Sequence, residues 1–161
     1  MLLWSHYTVK DITAIESVQR RFTKRLPGLN NLSYTERLQR IRLPSGPSLE
    51  LRRLYSDLIY CCKIIFGMID LTTSDFFFQW APCTSTRGHS CKLYKNSCSA
   101  RVRSILFSER VVNVWNGLPA NVDFSSLRSF TRTVKLADLS VFLKCYNYSS
   151  FLRAVCVNQT L

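Results

Sequence analysis

Carboxylates are scarce in this chain: ten Asp and Glu stand against 22 Lys and Arg, and there are two histidines and five glycines. Each shortage narrows the chemistry. Metal-dependent polymerases and nucleases need clustered carboxylates to hold divalent ions. Here Asp11, Glu36 and Glu109 fit helix starts, Asp70 and Asp75 flank a helix end, and no Asp-Asp pair follows an apolar strand. Independent metal-dependent catalysis is therefore not expected. A Ser or Cys nucleophile needs a base and a group to orient it; His6 and His89 are the only histidines, and neither sits in such a setting. The glycines are too few and too dispersed for a phosphate-cradling loop. Long apolar runs are missing as well. The longest, Leu58 to Leu71, is broken by Lys63 and Asp70 and is too short and too charged to span a membrane. MLLW runs directly into polar residues, so no signal peptide is expected.

Positive charge and a globular share of apolar residues are what the chain does have. Its 161 residues allow one domain with a modest core, and 47% hydrophobic content excludes a disordered composition. A formal net charge of +12 favours polyanionic partners, either nucleic acid or an anionic membrane surface. That charge is concentrated at the two ends. Residues 10–53 carry ten basic against four acidic side chains, residues 54–100 four against three, and residues 101–161 eight against three. Seven cysteines, an odd number without a secretory leader, read as reduced thiols of an intracellular protein, nuclear or cytoplasmic.

The stretch Asp11–Leu26 organises the reading. Ile12, Ile15, Val18, Phe22 and Leu26 recur at helical spacing and fall within an arc of roughly 120° at 100° per residue, which predicts a core-facing stripe. Lys10, Arg20, Arg21 and Lys24 fall opposite, and Arg25 borders the stripe. Thr8 with Asp11 forms a variant capping box, and Pro27-Gly28 ends the helix. Ser33 and Glu36 make a second capping box for a helix to about Leu43, decorated by Arg37, Arg40 and Arg42. After the turn Pro44–Ser48 comes the longest and most apolar helix, with Leu51, Leu54, Tyr55, Leu58, Cys62, Ile65, Phe66 and Ile69 in phase. Arg52 and Arg53 sit in its first turns, where the helix dipole disfavours cations, a hint that they meet an anion.

Beyond Leu71 the periodicity fails. FFFQW (Phe76–Trp80) is expected to pack over the helices, and Cys91–Lys95 with Arg101–Phe107 could pair as a short hairpin. Ser108 is the expected cap of a helix Glu109–Trp115 that brings Val111, Val112 and Trp115 together. Ser125 or Ser126 caps the next helix, with Leu127, Phe130 and Val134 on one face; Leu139–Lys144 continues it or forms a separate turn. Cys83, His89, Cys91 and Cys98 have the spacing C-x5-H-x-C-x6-C. It matches zinc sites poorly, because two ligands on one tight turn need spacings such as C-x2-C, so loop cysteines are the reading and no cofactor is expected. What remains is basic residues at helical spacing interleaved with aromatics, a pattern suited to phosphate backbones without sequence readout.

These pieces together resemble the C-terminal part of the reverse transcriptase polyprotein of non-LTR (LINE-type) retrotransposons, downstream of the polymerase palm. The resemblance is carried by YTVKDITAIESVQRRFTKRLPGL (Tyr7–Leu29), LSYTERLQRIRLPS (Leu32–Ser45), SLELRRLYSDLIYCCKI (Ser48–Ile64), TRGHSCKL (Thr86–Leu93), LFSERVVNVWNGLP (Leu106–Pro119) and SLRSFTRTVKLADLSVFL (Ser126–Leu143). It covers about residues 4–144. The sequence departs from the family's pattern in lacking fingers, palm and the metal-binding Tyr-x-Asp-Asp type motif. Gly46-Pro47-Ser48 looks inserted, and His6 stands where proline usually follows the tryptophan.

The resemblance implies a thumb-like and post-thumb segment gripping a template–primer duplex. By motif position, Arg20, Arg21, Lys24, Arg25, Arg37, Arg52, Arg53, Arg87, His89, Lys92 and Arg110 would make that grip. The expected architecture is mostly α: a lead-in (1–9), a three-helix thumb-like unit (10–70), an irregular region with room for a β-hairpin (71–107), a region with two further helices (108–144) and a tail (145–161). The expected function is non-catalytic binding of an RNA or RNA–DNA duplex backbone by a fragment of an RNA-directed DNA polymerase, with no membrane partner. The alternative is a protein-interaction module that docks on the palm and fingers of such a polymerase, or an inert relic.

Overall fold

A computed structural model describes residues 8–41, 48–70, 78–82, 88–97 and 106–144. The protein is mostly α-helical. Its helices are α1 (Val9–Lys24), α2 (Tyr34–Ile41), α3 (Leu49–Ile65), α4 (Phe107–Asn116) and α5 (Leu127–Val134), followed by a 3-10 turn at Ser140–Phe142. Of the described residues, those from Arg53 to Asp138 form one compact unit, and those before Arg53 or after Asp138 form another. The first turn of α3 belongs to the latter unit and the rest of the helix to the former.

Helix starts follow local side-chain chemistry. The Thr8 hydroxyl accepts from the Asp11 amide at 3.1 Å and donates to the Asp11 carboxylate at 2.6 Å. Ser33 and Glu36 close a reciprocal box: the Ser33 amide donates to Glu36 Oε2 at 2.7 Å, and the Glu36 amide donates to Ser33 Oγ at 3.3 Å. Ser48, which is buried, starts α3 by accepting from the Leu51 amide at 3.1 Å, and Ser126 starts α5 by accepting from Ser129 at 3.1 Å.

Two helix ends differ from the periodicity. α3 stops at Ile65, short of Ile69, because Gly67 adopts φ +63°. There the Gly67 amide bonds Ile64 O at 3.1 Å and the Met68 amide bonds Lys63 O at 2.8 Å, the paired bonds that close a helix through a left-handed residue. α4 begins at Phe107, without a side-chain cap, and the expected cap Ser108 lies buried in its first turn. Phe107 is drawn into the helix by packing: its ring meets Tyr60 at 5.6 Å and Phe78 at 6.1 Å, both edge-on.

The core of the 53–138 unit is built from Leu58, Cys61, Cys62 and Ile64 of α3, Val111, Val112 and Trp115 of α4, and Phe130 and Val134 of α5, all buried. Trp115, Phe124 and Phe130 pack pairwise with tilted rings at 5.3–5.5 Å between centroids. Of FFFQW, Phe78 is buried, whereas Trp80 is exposed with Phe66 beside it at 6.2 Å; Phe76 and Phe77 lie outside the described residues. Leu93 pairs with Trp80 in an isolated antiparallel bridge, flanked by bonds from Ala81 N to Lys92 O (3.0 Å) and Tyr94 N to Gln79 O (2.7 Å). Residues 101–105 of the hairpin reading lie outside the described residues.

Candidate nucleic-acid interface

The helix that carries most of the expected basic contacts does not bury its apolar stripe. Of Ile12, Ile15, Val18, Phe22 and Leu26, only Ile12 is buried; Ile15 and Leu26 are half-buried, and Val18 and Phe22 are 64% and 63% exposed. The buried positions are Ile12, Glu16 and Thr23, a face turned by about 90° from the apolar stripe at 100° per residue. Specific polar bonds fix that rotation. Glu16 accepts from the Tyr34 hydroxyl on Oε1 at 2.6 Å and from the Leu49 amide on Oε2 at 3.1 Å. Leu49 is the first residue of α3, so the carboxylate meets the positive end of a helix dipole. Gln19, on the same face, accepts from Arg52 Nη2.

This rotation leaves Arg20, Arg21, Lys24 and Arg25 exposed along one side of α1. No acidic side chain of the described residues pairs with Arg21, Lys24 or Arg25. The Arg20 guanidinium lies over the Tyr34 ring at 5.0 Å, and the Arg37 guanidinium faces the same ring at 5.7 Å. Burial and the bond to Glu16 push the Tyr34 phenol well above its ordinary range. Arg37 is buried, and its Nη1 donates to Leu32 O at 2.9 Å, so it serves the turn before α2. Within this unit, then, four basic side chains face solvent together, while Arg37 and Arg52 are held by groups of the protein.

In the 53–138 unit the expected contact residues are tied inward. Arg110 grips Asp57 through Nη2 at 2.8 Å and Nε at 3.2 Å, both on Oδ2. Burial still holds the Asp57 carboxyl above its ordinary pKa, against the pull of Arg110 and Arg53. Arg53 is half-buried. His89 is buried, with Nε2 at 2.8 Å from Trp115 O. A carbonyl only accepts, so Nε2 carries the proton. Burial lowers the pKa of this imidazole, and its Nδ1 has no partner. Lys92 donates to Asn116 O, and burial lowers its pKa also. Arg87 lies outside the described residues.

Two of the segments that carry the resemblance are bonded to each other here. The Leu93 amide donates to Asn116 Oδ1 and Asn116 Nδ2 donates to Leu93 O, both at 2.8 Å, while Trp115 Nε1 donates to Cys91 O at 2.7 Å. The backbone at position 88 favours glycine through its dihedral angle rather than through crowding. Its φ is +100°, and a Cβ there would lie 3.1 Å from Lys92 Nζ and 3.5 Å from Leu118 O. Nothing in the sequence pattern marks Glu16, Tyr34 or Asn116 as organising residues. Asn116-Gly117 reads as a helix stop, and no local signal puts Glu16 inside.

Cys61, Cys62 and Cys91 are free thiols, and burial pushes the first two up, Cys62 to about 11. Among the described residues no group of three or more His, Cys, Asp or Glu could hold a metal ion; Cys83 and Cys98 lie outside them. No helix among the described residues is long and apolar enough to cross a membrane. The arrangement supplies exposed guanidinium and ammonium groups on a fixed helix, suited to anionic oxygens. No protein-family model, curated protein or solved structure matches the chain.

Proposed function

We propose that the chain binds the phosphate backbone of an RNA or RNA–DNA duplex through the exposed side of α1, as a thumb-like piece of a LINE-type reverse transcriptase. The observation that supports this most is the fixed display of Arg20, Arg21, Lys24 and Arg25. Glu16 and Gln19 turn the helix so that these four face water, and Arg21, Lys24 and Arg25 have no carboxylate of the described residues to neutralise them. A net charge of +12 steers a polyanion to such a surface. The role is a grip, not chemistry: the sequence carries no palm motif, and polymerisation belongs to the larger enzyme it resembles. Arg37, His89, Lys92 and Arg110 act in this reading by holding the fold.

Titration of a labelled RNA–DNA duplex at low and moderate salt tests the proposal. Binding is expected to weaken steeply with salt, because each neutralised phosphate releases counterions. The combined change Arg20→Ala, Arg21→Ala, Lys24→Ala is expected to reduce the salt slope by about one for each phosphate left without its cation. Absence of binding at low salt, or an unchanged slope in the triple variant, would overturn it.

A second reading, a protein-interaction module, has its own support: Val18 and Phe22 on α1, and Phe66, Met68 and Trp80 in the other unit, are large apolar side chains open to solvent.

A further inference from the structure

α1 presents a row of apolar side chains and a row of cations side by side. Ile15, Val18 and Phe22 follow one another at 3 and 4 residues, so they line one strip of the helix surface. Arg21 and Arg25 are four apart and border that strip: Arg21 is three residues from Val18, and Arg25 three from Phe22. Val18 and Phe22 are among the most exposed large apolar side chains of the described residues. Their exposure is not a by-product of a frayed helix, since the adjoining face, about 90° round the helix, is tied down by Glu16 to Tyr34 and Leu49 and by Gln19 to Arg52.

We infer that this strip docks an amphipathic helix of another polypeptide, one that carries acidic residues beside its apolar stripe. Anchors at 15, 18 and 22 have the spacing by which one helix lays its apolar face against another. The charge of the neighbouring row selects the sign of the partner. Arg21 and Arg25 have no carboxylate among the described residues. The chain's own acids are largely committed: Asp11 to Thr8, Glu16 to Tyr34 and Leu49, Glu36 to Ser33, Glu50 to the Lys144 amide, Asp57 to Arg110 and Asp123 to the Ser125 amide. A second copy would bring a further +12 and the same arginine row against this one, so self-association is opposed by charge. A phosphate backbone satisfies the arginines but offers no apolar surface to cover Val18 and Phe22. An acidic amphipathic helix satisfies both rows at once. This inference does not rest on the duplex reading: the two share Arg21 and Arg25, but the apolar anchors Ile15, Val18 and Phe22 belong to this strip alone and Arg20 and Lys24 to the duplex reading alone.

The test is anisotropy titration of the full chain with a labelled synthetic helix bearing Leu at 3-4-7 spacing and Glu on both flanks, beside a control with each Glu replaced by Lys. The Glu peptide is expected to bind saturably and at least about tenfold more tightly than the Lys peptide. Val18→Ser with Phe22→Ser is expected to abolish binding while circular dichroism and melting stay unchanged, since both side chains are exposed. Arg21→Glu with Arg25→Glu is expected to reverse the preference and admit the Lys peptide. Equal binding of both peptides, or binding that survives the double serine change, overturns the inference. So does a concentration-dependent dimer that the serine changes dissolve, or phosphatidylserine vesicles that bind through Val18 and Phe22 more tightly than the Glu peptide. Loss of RNA–DNA duplex binding in the serine variant, with peptide binding intact, would assign the strip to nucleic acid instead.

Discussion

The hydroxyl of Tyr34 donates to Glu16 at 2.6 Å, across eighteen positions of sequence, and with the Leu49 and Arg52 bonds it fixes which face of α1 is inside. Glu16 is buried, yet both its oxygens are used, the second by the Leu49 amide at 3.1 Å. A buried carboxylate is tolerated when it is hydrogen-bonded and faces a helix N-terminus. One residue therefore joins α1 to the start of α2 and to the start of α3.

Glu16→Ala is expected to be among the more damaging single changes in this unit. It leaves the Tyr34 hydroxyl and the Leu49 amide without their acceptor, at about 1–3 kcal/mol for each donor that stays buried. Tyr34→Phe removes one bond and leaves the Leu49 contact, for a loss of about 1 kcal/mol. Urea denaturation followed by circular dichroism should rank the two in that order. Equal losses would show that the bond to Leu49 contributes nothing.

Interactions within three or four residues are legible in the sequence, and those set by distant partners are not. Thr8 with Asp11, Ser33 with Glu36, and Ser126 are capping signals because donor and acceptor are local. The period of α1 is equally plain, but its orientation is not, since Glu16 becomes an inner residue only through Tyr34 and Leu49. Ser108 has the side chain of a cap, but Phe107 packs on Tyr60 and Phe78 and carries the helix past it. The candidate site divides the same way. Side-chain type marks Arg20 and Arg110 alike as cations, and only the fold separates one over a tyrosine ring from one spent on Asp57, 53 residues away.

Arg110→Met is expected to destabilise the 53–138 unit by about 3–5 kcal/mol, because Asp57 would remain buried without its counter-charge. Pairing it with Asp57→Leu removes the stranded charge as well. The double variant should therefore recover much of the loss, giving a coupling of about 1–3 kcal/mol in a double-mutant cycle. Additive losses would mean that the guanidinium acts through packing alone.

pH below and above the ordinary carboxylate range should act on different carboxyls with opposite sign. Stability rises with pH wherever the unfolded state binds more protons. The bonds from Ser33 hold Glu36 below its ordinary pKa, and those from Ser125 do the same for Asp123. Their contribution is present above the unfolded values and is lost as pH falls through the folded ones. Asp57 is raised by burial, so its folded form holds the proton longer. Its contribution is full below the unfolded value and is lost as pH climbs through the folded one. The two windows divide near about pH 4, the ordinary carboxylate range. Urea midpoints measured on either side should show Glu36→Gln flattening the acid limb and Asp57→Asn removing a decline above it. A decline unchanged in Asp57→Asn would assign it to another group.

Asn116 stands in for a neighbouring strand: its amide oxygen takes the Leu93 N–H and its amide nitrogen gives to the Leu93 carbonyl, both at 2.8 Å. Leu93 also forms the bridge to Trp80, so the side chain closes the open edge of a two-residue pairing. Asn116→Ala removes donor and acceptor together and is expected to cost about 2 kcal/mol. Asn116→Asp keeps the acceptor but sets a carboxylate against the Leu93 carbonyl, so it should recover only part of that. Amide hydrogen exchange locates the effect. The Leu93 amide should exchange about tenfold or more faster in the alanine variant, each tenfold being about 1.4 kcal/mol of reduced protection, with α1 amides unaffected. The Trp115 indole on Cys91 O and the His89 imidazole on Trp115 O should still hold the preceding residues. Exchange at Leu93 that does not change would show that the bridge to Trp80 holds this segment without Asn116.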